Sequence, residues 1–264
     1  NVDGAAGPQA ALLPDGRRLH LQHGPIDLII EAFGPDEAVG QAYARATARF
    51  APLLGELVAE LPALRTPVGA NSRAVAGATA RRMVAACRPH AGVFVTPMAA
   101  VAGAVADEVL AAMLAGDHRL ARAYVNDGGD IALHLAPGER LTAGLVADLR
   151  RPAIVATTTI EAAMPVRGIA TSGHGGRSFS LGIADAVTVL AADGAAADVA
   201  ATLIGNAVSI EGPAIERRPA CDLQPDSDLG ALPVVVAVGP LSLHDVAAAL
   251  DAGVAEAERM RQYA

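Results

Sequence analysis

Aromatic residues make up only 3% of this chain of 264 residues, and tryptophan is absent. A core must therefore be built from Ala, Val, Leu and Ile, which favours helices packed on a sheet over an aromatic-rich sandwich. Charged residues are also few, at 18%, whereas apolar residues reach 52%. That balance supplies material for a core and is not typical of a disordered chain.

Basic residues are outnumbered, because 20 Lys and Arg face 28 Asp and Glu and leave a net charge of −8. A chain of this charge lacks the clustered basic residues that bind nucleic-acid backbones, and it is unsuited to an anionic membrane surface. A local nest of backbone N–H groups can still hold a nucleotide. We therefore expect a small anionic ligand as partner, and neither nucleic acid nor membrane.

Cysteines and long apolar runs are also scarce. The two cysteines, Cys87 and Cys221, are too few for a disulfide framework, so free thiols in a reducing compartment are expected. No apolar run reaches the roughly 18–20 residues of a membrane span. Residues 1–7 show no basic region followed by an apolar one. These features predict a cytoplasmic protein, and they leave a homo-oligomer open.

Hydrophobic periodicity predicts helices mixed with many short strands. Helices are expected over 35–61, 72–86, 98–115, 195–208 and 242–262, the last with a cap formed by Ser242 and Asp245. Strands are expected on both sides of residues 24–25 and over 92–96, 123–125, 131–135, 141–147, 153–157, 177–181, 186–192 and 233–238, with a loop over 211–232. Because no repeat or linker divides the chain, we expect one α+β or α/β domain over residues 1–264.

The densest group of potential ligand-binding residues is the segment 168–177, which holds four glycines, two hydroxyls and an arginine. Glycines allow a ligand to approach the backbone, successive N–H groups can surround an anion, and Arg177 can add a bidentate contact. The spacing matches neither a Walker A loop nor a dinucleotide-binding motif. We interpret Thr171, Ser172 and Gly173 as ligand-contacting residues, with a plain turn between strands as the alternative.

Asp198 and Thr202 are four residues apart on a predicted helix, so both side chains lie on one face. A carboxylate and a hydroxyl are oxygen ligands that suit Mg²⁺. In the alternative interpretation, Asp198 is a first-turn residue stabilised by the helix dipole, and Thr202 bonds back to a carbonyl.

Two further groups of polar residues interrupt apolar runs. Asn126, Gly128, Gly129 and Asp130 could contact a sugar, an adenine edge or a metal-bound water, although a hairpin turn explains the same residues. Asp185 enters an otherwise apolar strand, where an acid marks either a site or the end of the strand.

Three of these segments, in this order, resemble motifs of the ApbE family of FAD-dependent flavin transferases. Residues 103–107 with 125–131 are similar to the family's G-x-x-x-D helix and N-x-G-G-D segment, and residues 168–173 to its A-T-S-G loop. Residues 197–202 are similar to its A-D-x-x-x-T helix, whose Asp and Thr help to hold Mg²⁺. The resemblance covers about residues 98–208. It implies a mixed, largely antiparallel sheet with packed helices, FAD or another nucleotide as ligand, and Mg²⁺ at Asp198 and Thr202.

The whole chain is more similar to a set of uncharacterised ApbE-like proteins, through residues 21–26, 96–103 and 184–186. Flavin transferases carry an H-I-I-D-P-x-T-G insert after the Thr-Ser-Gly loop and a lysine before the helix glycine. This chain has no such insert between Ser178 and Asp185, and Ala102 stands at the lysine position. The resemblance thus predicts a flavin, a nucleotide or another small anionic metabolite bound around the Thr-Ser-Gly loop. Catalysis stays open: FMN transfer with FAD and Mg²⁺ is one alternative, and sulfur transfer toward homocysteine is another.

Overall fold

The secondary structure alternates between strands and helices along the chain. The structure is a computed structural model, which describes residues 7–70, 72–146, 153–176 and 178–261. The described strands are β1 (Gln9–Leu12), β2 (Leu19–His23), β3 (Ile26–Phe33), β4 (Arg122–Asp127), β5 (Asp130–Leu135), β6 (Arg140–Val146), β7 (Ile154–Glu161), β8 (Gly168–Ser172), β9 (Val187–Ala191), β10 (Ile215–Pro219) and β11 (Pro233–Val238). The described helices are α1 (Asp36–Leu64), α2 (Ala78–Cys87), α3 (Val101–Met113), α4 (Gly194–Ala207), α5 (Ala220–Leu223) and α6 (Leu243–Met260).

Seven strands form one antiparallel sheet in the order β1-β2-β3-β4-β5-β8-β9. The hairpins β6–β7 and β10–β11 are separate two-stranded sheets. The expected α+β architecture with a largely antiparallel sheet is therefore confirmed. Because β8 pairs directly with β5, the β6–β7 hairpin is an excursion between two neighbouring strands of the main sheet.

Side chains alternate between the two faces of the sheet, and each face packs against a different part of the protein. In β2 and β3, Leu21, Leu28 and Ile30 point toward one face and are fully buried in the main core with residues of α1 to α4. On the opposite face, the side chains of Leu133 and Ile169 pack against Ile160 of the β6–β7 hairpin. The helices and this hairpin therefore lie on opposite sides of the sheet.

Several local predictions are confirmed. The hairpin β4–β5, strand β11 and helix α4 lie within a few residues of the predicted boundaries. Ser242 and Asp245 form a complete capping box at the start of α6. Within the described residues, no helix has the length and apolar character needed to cross a membrane.

Four local predictions are wrong, and at two of them a contact with a distant residue replaces the expected element. Residues 72–77 are not helical, because the Glu60 carboxylate binds the N–H groups of Ala76 and Gly77, at 2.7 Å each. Residues 92–96 form no strand. Residues 178–181 form no strand either, since the Leu181 N–H donates to Asn206 at 2.9 Å; Arg177 lies outside the described residues. The predicted loop 211–232 contains β10 and α5.

Candidate functional site

The turn between β4 and β5 is built by its polar and glycine residues. The Asn126 side-chain oxygen accepts a hydrogen bond from the Gly129 N–H, at 2.8 Å. Gly128 and Gly129 have φ angles of 65° and 116°, which residues with a Cβ rarely adopt. The alternative interpretation of these three residues, a hairpin turn, therefore describes their structural role. Space around the Cβ position of Gly129 is open, although its N–H is already bound by Asn126.

Asp130 joins this turn to the Thr-Ser-Gly segment. The segment was expected to be a loop, but residues 168–172 form strand β8, which pairs with β5 on one side and β9 on the other. The Thr171 N–H donates to the Asp130 carboxylate at 3.3 Å. The Thr171 hydroxyl lies 2.9 Å from that of Thr188 in β9, and both threonines are exposed. Asp130 and Thr171, which are 41 residues apart in sequence, therefore share one end of the sheet.

The glycine-rich turn that follows β8 packs against the segment before β9. A Cβ on Gly173 would overlap the Asp185 carbonyl oxygen, whereas nothing lies within 4 Å of the Cβ position of Gly175. The His174 N–H donates to the Ala184 carbonyl at 2.9 Å. The exposed Asp185 is thereby placed beside the end of β8. Gly173 has a packing role, while Gly175 presents an open backbone; Arg177 lies outside the described residues.

Asp198 lies on α4 and is 92% buried, with a relative exposure of 8%. Its carboxylate accepts a hydrogen bond at 3.0 Å from the N–H of Gly103, near the start of α3, and another from the Ala102 N–H. Burial raises the pKa of Asp198 well above its ordinary value, and the nearby carboxylates of Asp130 and Asp127 raise it further. Asp198 therefore caps the start of α3, a neighbouring helix. The alternative interpretation, in which Asp198 is a first-turn residue stabilised by the dipole of its own helix, is wrong.

A second aspartate makes the reciprocal contact. Asp107 on α3 accepts hydrogen bonds from the N–H groups of Gly194 and Ala195, both at 2.9 Å, at the start of α4. Burial raises the pKa of Asp107 to about 6, although these hydrogen bonds oppose the shift. The two helices thus cap each other, and a Cβ on Gly103 would overlap the Gly194 carbonyl oxygen.

The sequence analysis missed this exchange, although a signal was present. Residues 103–107 and 194–198 carry the same G-x-x-x-D spacing, but only the first was noted as a motif. It also missed Thr188, and it did not foresee that Asp127, inside the predicted 126–130 turn, is buried at 4% exposure. Thr202 lies one turn beyond Asp198 on α4 and is half-buried. The structure therefore gathers Asp130, Thr171 and Asp198 with the two helix starts at one end of the sheet.

The donors near Asp198 suit a hard cation by type but do not enclose one. Within the described ranges, no three Asp, Glu, His or Cys side chains are arranged to hold a metal ion. Mg²⁺ takes carboxylate and hydroxyl oxygens and usually keeps several waters or phosphate oxygens, so Asp198, Asp130 and Thr202 would be a partial ligand set. A bound cation would also relieve the carboxylate repulsion that raises the pKa of Asp198.

Of the two cysteines, Cys87 lies close enough to Asp198 for the two groups to interact electrostatically. The Cys87 thiol is buried and donates to the Thr96 carbonyl oxygen at 3.4 Å, and burial raises its pKa to about 12. A thiol with such a pKa is almost fully protonated at neutral pH and is a poor nucleophile.

An open groove on the surface lies between Glu56 and Glu60 of α1 and residues 74–77, and no motif residue lines it.

Comparison with known proteins assigns the chain to a family. A family model described as "AbpE bacteria" matches residues 10–264. The chain belongs to this family. It is also 38% identical to a UPF0280 protein of Methanothrix thermoacetophila over 124 residues, which are 47% of this chain and 50% of that protein. A UPF0280 protein of Methanothermobacter thermautotrophicus is 37% identical over 120 residues, 45% and 44% of the two chains. The chain spans about half the length of the curated relatives it matches. This membership agrees with the resemblance to uncharacterised ApbE-like proteins.

Proposed function

We propose that this protein binds a small anionic metabolite, a flavin or another nucleotide, at the end of the sheet where Asp130, Thr171 and Ser172 lie. The observation that carries the proposal is the convergence of β8 with Asp130 and the buried Asp198, since each comes from a different part of the chain. The open backbone at Gly175 lets a phosphate approach closely, whereas the Gly129 N–H is already bound by the Asn126 side-chain oxygen.

The charge of the site requires a cation to accompany an anionic ligand. Asp127, Asp130 and Asp198 would repel a phosphate, and the two neighbouring carboxylates add to the rise in the pKa of Asp198 that its burial causes. We propose that Mg²⁺ binds at Asp198 and Thr202 and, when bound, neutralises phosphate charge there. Asp130 holds the Thr171 N–H, and the glycine-rich turn positions Asp185 at the rim.

FMN transfer is the second candidate, favoured by the retained pair Asp198 and Thr202. It requires donors that stabilise charge on the attacked phosphorus as well as a cation. Ala102, at the position of the family's lysine, contributes only its backbone N–H, which binds Asp198. Sulfur transfer is less well supported, because the buried Cys87 is protonated at neutral pH. Ligand binding without efficient transfer is therefore the function that the geometry supports best.

Calorimetric titration with FAD, FMN and ADP, with and without Mg²⁺, tests the proposal. We expect at least one of these ligands to bind in a Mg²⁺-dependent manner, and Asp198→Asn and Thr202→Val each to weaken this binding at least about tenfold. Asp117→Asn, which changes an exposed aspartate on the loop after α3, is the matched control. Thermal unfolding of every variant separates lost binding from lost folding. Absence of binding to all three ligands, or undiminished binding by folded Asp198→Asn, would overturn the proposal.

A further inference from the structure

The last helix, α6, has two apolar faces, and only one of them is covered within the described chain. The buried face carries Ala249, Gly253 and Met260. A Cβ on Gly253 would overlap the Val208 side chain, so α6 packs closely against the end of α4. On its other face Leu243 is 90% exposed, Leu250 55% and Val254 60%. Four of the thirteen large apolar side chains that are exposed in the described residues lie on this one helix.

The spacing of the exposed side chains indicates what kind of surface covers them. Leu243, Ala247, Leu250 and Val254 follow one another at steps of four, three and four residues. At 100° per residue they lie within about 60° of one another around the helix axis. This alternation of three- and four-residue steps is the pattern by which one helix packs against another in a coiled coil. We call these four residues the α6 seam.

We propose that the α6 seam packs against the α6 seam of a second copy of this chain, with the two helices antiparallel. An antiparallel register places Leu243 opposite Val254 of the other copy, and Ala247 opposite its Leu250. All four seam residues therefore lie in apolar pairs between the two copies. The two-fold axis repeats each pair once. The small side chain of Ala247 allows the two helices to approach closely.

Charge complementarity supports the same register. His244 and Asp251 are seven residues apart, so they lie in one row beside the seam. In the antiparallel register, His244 of each copy lies beside Asp251 of the other, which gives two pairs of opposite polarity. Within one chain the two residues are separated by two helical turns, too far for a direct contact. A parallel arrangement would place the two rows on opposite sides of the interface, so His244 and Asp251 of different copies would not meet.

The size of the seam sets the expected strength of the dimer. A stable interface buries about 800 Å² on each partner, and a seam of four residues supplies less than that. We therefore expect a weak dimer whose population rises with protein concentration through the micromolar range.

Sedimentation velocity at a series of concentrations tests the proposal. We expect a monomer–dimer equilibrium, with Leu250→Glu raising the dissociation constant at least about tenfold. Ala252→Glu is the matched control, since it adds the same charge at an exposed position nearly opposite the seam on α6. A monomer at all concentrations, or equal effects of the two variants, would overturn the proposal.

A charge exchange tests the register itself. His244→Glu places a carboxylate beside Asp251 of the other copy and is expected to weaken the dimer. Adding Asp251→Arg to that variant is expected to restore it, because the new pair attracts only between chains. Failure of the second substitution to restore the dimer would rule out the antiparallel register. Circular dichroism of each variant confirms that α6 remains folded.

Discussion

At the scale of single residues, the glycines near the candidate site differ in what a side chain would touch. At Gly103, Gly168, Gly173 and Gly182 a Cβ would overlap a backbone oxygen of a neighbouring segment. At Gly129 and Gly175 the same position is open. Only this second pair leaves space for a ligand beside the backbone, so a glycine-rich motif is a poor guide to a binding site until its packing is known.

The substitution Gly103→Ala tests how closely α3 packs against α4. Because the new methyl group would overlap the Gly194 backbone, we expect the free energy of unfolding to fall by about 3 kcal/mol or more. Gly40→Ala is the matched control, since Gly40 lies exposed on α1 with open space around it. There the substitution should raise the free energy of unfolding by about 0.5–1 kcal/mol. Urea unfolding compares the two variants, and similar small effects would contradict the close packing.

At the scale of elements, the reciprocal caps connect helix stability to pH. The pKa of Asp107 is about 6 in the folded protein, against an ordinary value of 3.8. Between these values the folded state binds more protons than the unfolded state. The contribution of Asp107 to the free energy of unfolding therefore falls as pH rises from about 4 to 6, by at most about 3 kcal/mol.

The variant Asp107→Asn tests this pH dependence. The amide does not titrate, so between about pH 4 and 6 the free energy of unfolding of Asp107→Asn should change with pH in a more positive direction than that of the unsubstituted protein. Asp117→Asn removes an exposed carboxylate instead and should leave the slope unchanged. Urea unfolding at several pH values provides the measurement. An unaltered slope in Asp107→Asn would show that this group does not titrate as its burial implies.

The elements that could be predicted from sequence are those whose cause is local. The capping box at Ser242 and the turn at Gly128 and Gly129 depend on residues a few positions apart. Residues 72–77 and 92–96 have helical and strand-like patterns, yet distant contacts decide their structure. Glu60 binds the first segment, and the Val95 carbonyl of the second accepts the Val68 N–H.

The candidate site was predictable to a similar extent. Its segments could be recognised from their motifs, but the contact between Asp130 and Thr171 depends on β5 pairing with β8, across the β6–β7 excursion. The helix-capping role of Asp198 depends on the packing of α3 against α4, 95 residues away in sequence. Single-sequence patterns do not specify either contact.

At the scale of the whole molecule, the sequence retains Asp198 and Thr202 of the flavin-transferase motifs but has Ala102 in place of their lysine and lacks their histidine-containing insert. Incubated with FAD, Mg²⁺ and an acceptor protein with a target threonine, the protein should attach little or no FMN, whereas an authentic ApbE transferase should do so readily. Each missing donor typically lowers the rate about 10²–10³-fold. Mass spectrometry of the acceptor provides the measurement. Efficient flavinylation that Asp198→Asn abolishes would show that other groups replace the missing lysine and insert.

The exchange of caps between α3 and α4 also bears on how such sequences diverge. Asp107 and Asp198 each accept hydrogen bonds from backbone N–H groups at the start of the other helix. Losing either carboxylate would leave those N–H groups without an acceptor and lower the stability of the fold. Selection for a folded protein would then preserve both aspartates in a lineage that had abandoned any chemistry at this site. In such descendants the aspartate of the A-D-x-x-x-T motif would be kept for its role in the fold, so finding it in a genome sequence indicates common ancestry more than a common reaction.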